Sequence, residues 1–360
     1  MWKKGGRMLD FSVAFSYNDR IEKLSSNGEY KSVIALIRRC KENTMVAVSL
    51  AAKLLILTCV GFFVQKIKLV KQDFDSQLTA FLLNTAFPCL IFNSMIAEPF
   101  SVETLSKCGI VLVVATAVCL LQLGLGHLYY LLSGKTGQGR LARYGITFVH
   151  YSFFGIPIME ALFGSLGTMY YSVFLIPVRI MYYGITKPLL LPAGDSRAKQ
   201  PLSEKMKKIL LNPCLIAVVL GLIFWIMGWR MPEIIDYCIT SLSKICSPIG
   251  LVLCGLTLGK YDLKNLFRLR YLKLPLIRTV IMPAIFFGIS RIMLLCGMDA
   301  TIANMMVVYT ALPIASLMAA FVVMYDPDEA MQFEAAGNVF FATLLSIVTL
   351  PVWYMILQSI

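Results

Sequence analysis

The sequence predicts an all-α, polytopic membrane protein of about ten transmembrane helices. Three observations carry that prediction. Of the 360 residues, 58% are hydrophobic, and the mean hydropathy is +0.74. Only 15% are charged, against about 25% in a soluble domain, too few to cover a water-facing surface of this size. The apolar residues also gather into runs of about 20, the length that crosses the hydrocarbon core of a bilayer.

Taken in order, the runs lie at residues 45–65, 76–97, 108–132, 144–165, 168–189, 209–228, 237–259, 274–296, 301–325 and 330–357. Most connections are short, which makes consecutive spans antiparallel neighbours. Strands are excluded because the runs are too long and an open sheet edge cannot face lipid. Asn212-Pro213 reads as the start of the sixth span, Asn as cap and Pro in the first turn. Residues 1–44 differ: they hold nine Lys/Arg and five Asp/Glu and no long apolar run. No signal-peptide pattern appears there. Two readings stay open, an amphipathic surface helix over Tyr30–Arg39 and a dispensable extension ahead of a native start at Met45.

Charge orients the spans. The connections after spans 1, 3, 5 and 7, counting Lys187 at the edge of span 5, hold 17 Lys/Arg. The opposite face holds Lys107, Arg230 and Arg291. The positive-inside rule places the 17-charge side in the cytoplasm and both ends of the ten-span unit outside, in a plasma or inner membrane. The formal charge of +13 is therefore topological, and nucleic acid is excluded as a partner. The ten Cys include Cys59, Cys89, Cys119, Cys214 and Cys254 inside apolar runs, with no CxxC pair. With only two His, His127 and His150, no metal site or disulfide framework is expected, and no cofactor is implied. Enzyme motifs such as HExxH, GxSxG and Walker A are absent.

Five spans precede the basic stretch at 191–208 and five follow, so residues 45–190 and 209–357 form two halves that an odd span number inverts in the membrane. Their punctuation matches. Pro88 in FPCLIF parallels Pro248 in CSPIGLVLCG, and Pro157 in FFGIPIM parallels Pro313 in TALPIAS. Interrupted helices at matching positions of two halves point to a solute site at mid-membrane.

The stretches NTAFPCLIFNSM, YGITFVHYSFFGIPIMEALFG, LLNPCLIAVVLGL and YTALPIASLMAAFVVMYDPD resemble the auxin efflux carrier family, which includes PIN-type carriers and bacterial permeases assigned to malate or malonate. The resemblance runs over about residues 45–357. It implies a five-plus-five inverted repeat like that of bile-acid transporters and sodium/proton antiporters. Spans 1, 2, 6 and 7 would be a scaffold, able to pair two protomers as a homodimer. Spans 3–5 and 8–10 would be a transport domain, with spans 4 and 9 crossing at Pro157 and Pro313. The activity it implies is secondary transport of a small organic anion.

The residues fit an anion. Half-helices that meet inside the membrane expose N–H groups and partial positive charge, a natural seat for a carboxylate. His150, where the family usually has Asn, lies two turns before Pro157 and keeps a hydrogen-bond donor, and histidine also titrates near neutral pH. Tyr151 and Ser152 offer hydroxyls, Gly155 allows close backbone approach, and Ser316 follows Pro313 on the other half. Arg179 sits in mid-span, where an isolated charge costs roughly 2.5–3.5 kcal/mol. It needs a partner, either the solute or an ion pair with Glu160 or Glu334. Lys244 and Arg278 are close enough to span ends to reach water, and Lys53 does so with more difficulty. Asn84, Asn93 and Ser94 flank Pro88 on the scaffold side, and Asn338 is a polar group in span 10. Glu160 and Glu334 are the candidates for coupling to a proton; sodium held by backbone carbonyls remains the alternative, as does uniport. A membrane-embedded sensor or channel for a small solute is the competing class.

Overall fold

The computed structural model describes residues 49, 52–71, 73–191, 201–260, 268–325 and 328–359. The readings made for residues 1–44, and those for residues 192–200 of the 191–208 linker, lie outside the described residues. Among the described residues the fold is all-helical, and the one pairing of extended backbone is an antiparallel bridge between Val149 and Ile314.

Among the described residues twelve helices follow in order: α1 over 52–66, α2 Phe74–Ile96, α3 Val102–Leu132, α4 Gly137–Thr147, α5 Tyr151–Leu190, α6 Leu202–Leu210, α7 Pro213–Met227, α8 Glu233–Gly259, α9 Leu269–Leu295, α10 Ala300–Ala311, α11 Leu317–Tyr325 and α12 Glu329–Ser359. Their starts follow local chemistry. Asn212 Oδ1 accepts from the N–H groups of Cys214 (3.0 Å) and Leu215 (3.2 Å), and Pro213 fills the next position, as the sequence predicts. Thr136 caps α4 through Gly139 N–H at 3.1 Å, and Asp299 caps α10 through Thr301 N–H at 2.8 Å. Gly228, at φ 64°, ends α7 in the left-handed conformation that glycine adopts without strain.

Six of these helices (α2, α3, α5, α8, α9 and α12) are long and apolar enough to cross a membrane. The number is seven if α6 and α7, bent by 54°, form one span. Ten were expected, and the difference has identifiable causes. Expected spans 4 and 9 are each divided, the first between α4 and the start of α5, the second between α10 and α11. Expected span 5 is joined to the end of span 4 in the 40 residues of α5, which turn sharply at Gly164 (φ 64°, ψ −158°). Helix α1 is described only from residue 52.

Proline marks these irregularities in a specific way. Pro88, Pro157 and Pro283 each follow a π-helical turn by two residues, the turns being Leu82–Ala86, Tyr151–Gly155 and Ile277–Ile281. Proline lacks an N–H and its ring presses on the carbonyl four residues earlier, so the preceding turn widens. Pro88 therefore does not interrupt α2, contrary to the sequence expectation. In α8 the helix loosens only at Ile245, three residues before Pro248, and stays right-handed there (φ −78°, ψ −15°), so Pro248 does not interrupt the span either.

Glycine sets the closest helix contact. Gly61 of α1 lies against the backbone of Val252, and Gly255 of α8 against the backbone carbonyl of Thr58; a Cβ at either would collide. At the far end of α5, Arg140 Nε donates to Leu190 O (3.1 Å), and Arg143 Nη2 donates to Pro188 O (3.0 Å) and Leu189 O (2.6 Å). These are terminal helix carbonyls without intrahelical partners, and cations belong beside them.

Candidate functional site

The chain crosses itself between α4 and α5 on one side and α10 and α11 on the other. Helix α4 ends at Phe148, which is extended (φ −114°, ψ 130°), and α10 ends at Leu312, also extended (φ −61°, ψ 148°). The two unwound strips pair: His150 N–H donates to Pro313 O at 2.8 Å, and Ala315 N–H to Phe148 O at 3.4 Å. Pro313 thus sits at the crossing as expected. On the other strip the unwinding lies at Phe148–His150, about seven residues ahead of Pro157, because the π turn before Pro157 lets the helix restart early.

His150 is 7% exposed. Its Nε2 lies 3.9 Å from the Cys254 thiol of α8, and its ring meets those of Phe153 and Phe154. Tyr151 opens α5, and its carbonyl accepts from the Tyr171 hydroxyl at 2.9 Å. Gly155 is buried beneath that same hydroxyl and Leu312, where a Cβ would not fit. Pro157 packs near Gly250 of α8, while Ser152 and Ser316, on either side of the crossing, are half-buried.

Arg179 is buried, 3% exposed, and among the described residues neither of its Nη atoms has a hydrogen-bond partner. The two acids expected as its partners are engaged elsewhere. Glu160 accepts from Ser247 Oγ, and Glu334 accepts from Gln138 Nε2 at 3.0 Å. Arg179 lies on α5, which packs against α4 and also against α7.

Other predicted site residues are not drawn in. Asn93 donates to Ser243 Oγ at 3.5 Å on α8. Asn338 and Glu334 line a separate cavity of about 610 Å³ with Tyr129, Arg270 and Lys273. A cavity of about 380 Å³ next to the crossing runs between α1, α5 and α8, with Lys53, Pro157, Glu160, Lys244 and Ser247 in its wall. Lys53 and Lys244, expected only to reach water, face this cavity. A larger one, about 710 Å³ around Phe100, Trp225 and Trp229, touches no crossing residue.

One expectation is overturned. Arg278 does not reach out to water: it is fully buried, 0% exposed. Its Nη1 donates to Ile146 O at 2.8 Å and its Nε to Leu312 O at 3.2 Å. Gln122, with its amide oxygen turned to the guanidinium, accepts from Nη1 and Nη2 (3.1 and 3.2 Å) and donates to Thr147 O at 3.2 Å. The error came from starting span 8 at residue 274. The helix begins at Leu269, which carries Arg278 deeper. A polar Gln122 inside the apolar run of α3 was the unused signal.

Residues 46–354 match the sequence model of the family described as membrane transport protein, the auxin efflux carrier or PIN-like permease family. Two relatives are similar over nearly their whole lengths. One, from Methanothermobacter thermautotrophicus, is 26% identical over 310 residues, covering 84% of this chain and 96% of its own. The other, from Methanocaldococcus jannaschii, is 24% identical over 332 residues, covering 88% and 100%. Both are named as uncharacterized transporters.

Proposed function

This chain belongs to the membrane transport protein family and is a multi-pass membrane transporter of a small solute, and from that premise we propose that the solute is a small organic anion, a mono- or dicarboxylate, carried by alternating access through the helix crossing. One observation above the others supports this reading: the buried guanidinium of Arg179, on the helix that restarts at the crossing, has no hydrogen-bond partner on its Nη atoms among the described residues. An isolated buried cation is costly, and a carboxylate satisfies it with paired, charge-assisted hydrogen bonds. The start of α5 carries the partial positive charge of a helix N-terminus, which favours the same guest. His150 adds a donor on the strip that pairs with Pro313.

In this reading α1, α2, α7 and α8 are the scaffold, and α3–α5 with α9–α12 form the body that moves. Arg179 lies on α5 of the moving body, which packs against α7 of the scaffold, so its anion is held near the boundary between the two bodies. Lys53 and Lys244 draw the anion into the 380 Å³ cavity, and Glu160 is the residue through which a proton would couple. The basic connections face the cytoplasm of a plasma or inner membrane, and the scaffold helices are the surface for a homodimer.

The test is uptake and efflux of labelled mono- and dicarboxylates in proteoliposomes, with potential, pH and sodium gradients imposed one at a time. Saturable movement of one acid is expected, and the gradient that speeds it names the coupling. The Arg179→Gln variant is expected to lose about ten- to a hundredfold in uptake, from the roughly 1.5–3 kcal/mol of hydrogen bonding to a charged group. Wild-type uptake by a correctly inserted His150→Ala/Arg179→Ala variant overturns the site. Currents far above carrier rates overturn alternating access in favour of a channel, and binding without movement favours a sensor.

A further inference from the structure

We propose that Arg278 is a tethered cation that permanently fills the seat between the two half-helix C-terminal ends at the crossing, and so positions the site from behind. The proposal deepens the reading of the crossing as the transport site and rests on it for its transport arm only. Helices α4 and α10 both end at this point, and the guanidinium bonds one terminal carbonyl of each, Ile146 O and Leu312 O. Each helix C-terminus carries roughly half a negative charge, so two of them balance about one cation. Among the described residues no carboxylate pairs with Arg278, and Gln122 supplies a neutral oxygen that completes its set of acceptors. Converging helix-end carbonyls with a side-chain oxygen are also the chemistry that holds a mobile monovalent cation in split-helix transporters. Here a side chain anchored on α9 takes that place.

Two consequences follow. A coupling cation, if one is used, does not bind at this seat. The distance between the ends of α4 and α10 is also fixed, which holds the opposed starts of α5 and α11 in register for the solute. Arg278 touches neither the solute nor Arg179 and is a positioning residue.

The experiment compares wild type with Arg278→Ala in detergent and in proteoliposomes, with and without millimolar methylguanidinium, sodium or tetramethylammonium at equal ionic strength. Wild-type melting and transport should not respond to methylguanidinium or tetramethylammonium. The variant should melt lower by on the order of 5 °C and lose most of its transport, and methylguanidinium should restore both where tetramethylammonium does not. A wild-type-like variant overturns the proposal, as does a melting deficit that Arg278→Met repairs in full, since volume alone would then explain it. If Arg278→Ala does not reach the membrane, Arg278→Lys carries the test. It keeps the charge and loses the fork, so it should melt below wild type, and unchanged melting and transport overturn the tether. The melting arm needs no solute, so a failure there counts against the tether. Absence of anion transport by wild type counts against the transport reading alone.

Discussion

The restart of α5 depends on a contact that tolerates no additional atom. The Tyr171 hydroxyl donates to Tyr151 O at 2.9 Å, and Gly155 leaves the room through which it reaches. An Ala at Gly155 would press its Cβ on that hydroxyl and on the Leu312 side chain at once, so the buried Tyr171 ring or Leu312 has to shift and the hydrogen bond is strained. The Gly155→Ala variant is expected to lose about 1–3 kcal/mol of stability, the usual cost of overpacking, and at least tenfold in transport rate. Tyr171→Phe, which removes only the bond, should cost about 1 kcal/mol. Thermal melting and proteoliposome uptake of the two variants check both values, and a Gly155→Ala protein indistinguishable from wild type sinks the argument.

Helix ends hold the elements in place, and the best exposed case is Asp299. It caps α10 and bridges to Lys107 of α3 at 2.8 Å, where Lys107 also meets Glu103 at 2.9 Å. Desolvation pushes the Asp299 carboxyl up, but the hydrogen bonds from Lys107 and from Thr301 N–H outweigh it and hold the group below its usual range. A carboxyl depressed in the folded state stabilises above its unfolded value of about 3.9 and loses that contribution as pH falls through the lower folded value. Wild type should therefore lose stability on acidification below about pH 4, while Asp299→Asn, which keeps the cap and loses the ion pair, should be less stable at neutral pH and flatter in the acid range. Melting followed from pH 3 to 7 decides this, and parallel curves for the two proteins refute it. Elements of this kind were partly legible in the sequence. Apolar run length gave the helices, and Asn212-Pro213 gave the start of α7. Proline correctly marked irregular backbone, but it does not say whether a π turn absorbs the defect, as before Pro88, or the chain unwinds several residues upstream, as before Pro157. Arg179 was legible because a mid-span charge is conspicuous by itself. The role of Arg278 was not, because its acceptors lie 132 and 34 residues away in the chain and are backbone carbonyls, which no sequence pattern distinguishes.

At the scale of the whole molecule, the proposed motion makes a demand on the cavity of about 380 Å³. Its walls come from α1 and α8 on one side and from α5 on the other, so any displacement of the two bodies must change it. The tight Gly61 and Gly255 contacts keep α1 and α8 together as one wall, which leaves α5 as the wall that moves. Ala161 of α5 lines this cavity and is exposed, so a thiol placed there reports its opening. In a background with Cys40, Cys238 and Cys296 replaced by Ser, Ala161→Cys should react with a membrane-impermeant maleimide in sealed vesicles. The rate should change severalfold when the transported anion is added, because binding shifts the population between the two arrangements of the bodies. A thiol at Ser247 would sit on the scaffold wall of the same cavity and should respond in the same direction, whereas one at Trp229, in the separate 710 Å³ cavity, should not respond. Equal rates at Ala161→Cys with and without anion, in a variant that still transports, would show that the solute passes without this cavity changing shape, and the division of the helices into a scaffold and a moving body would have to be drawn elsewhere.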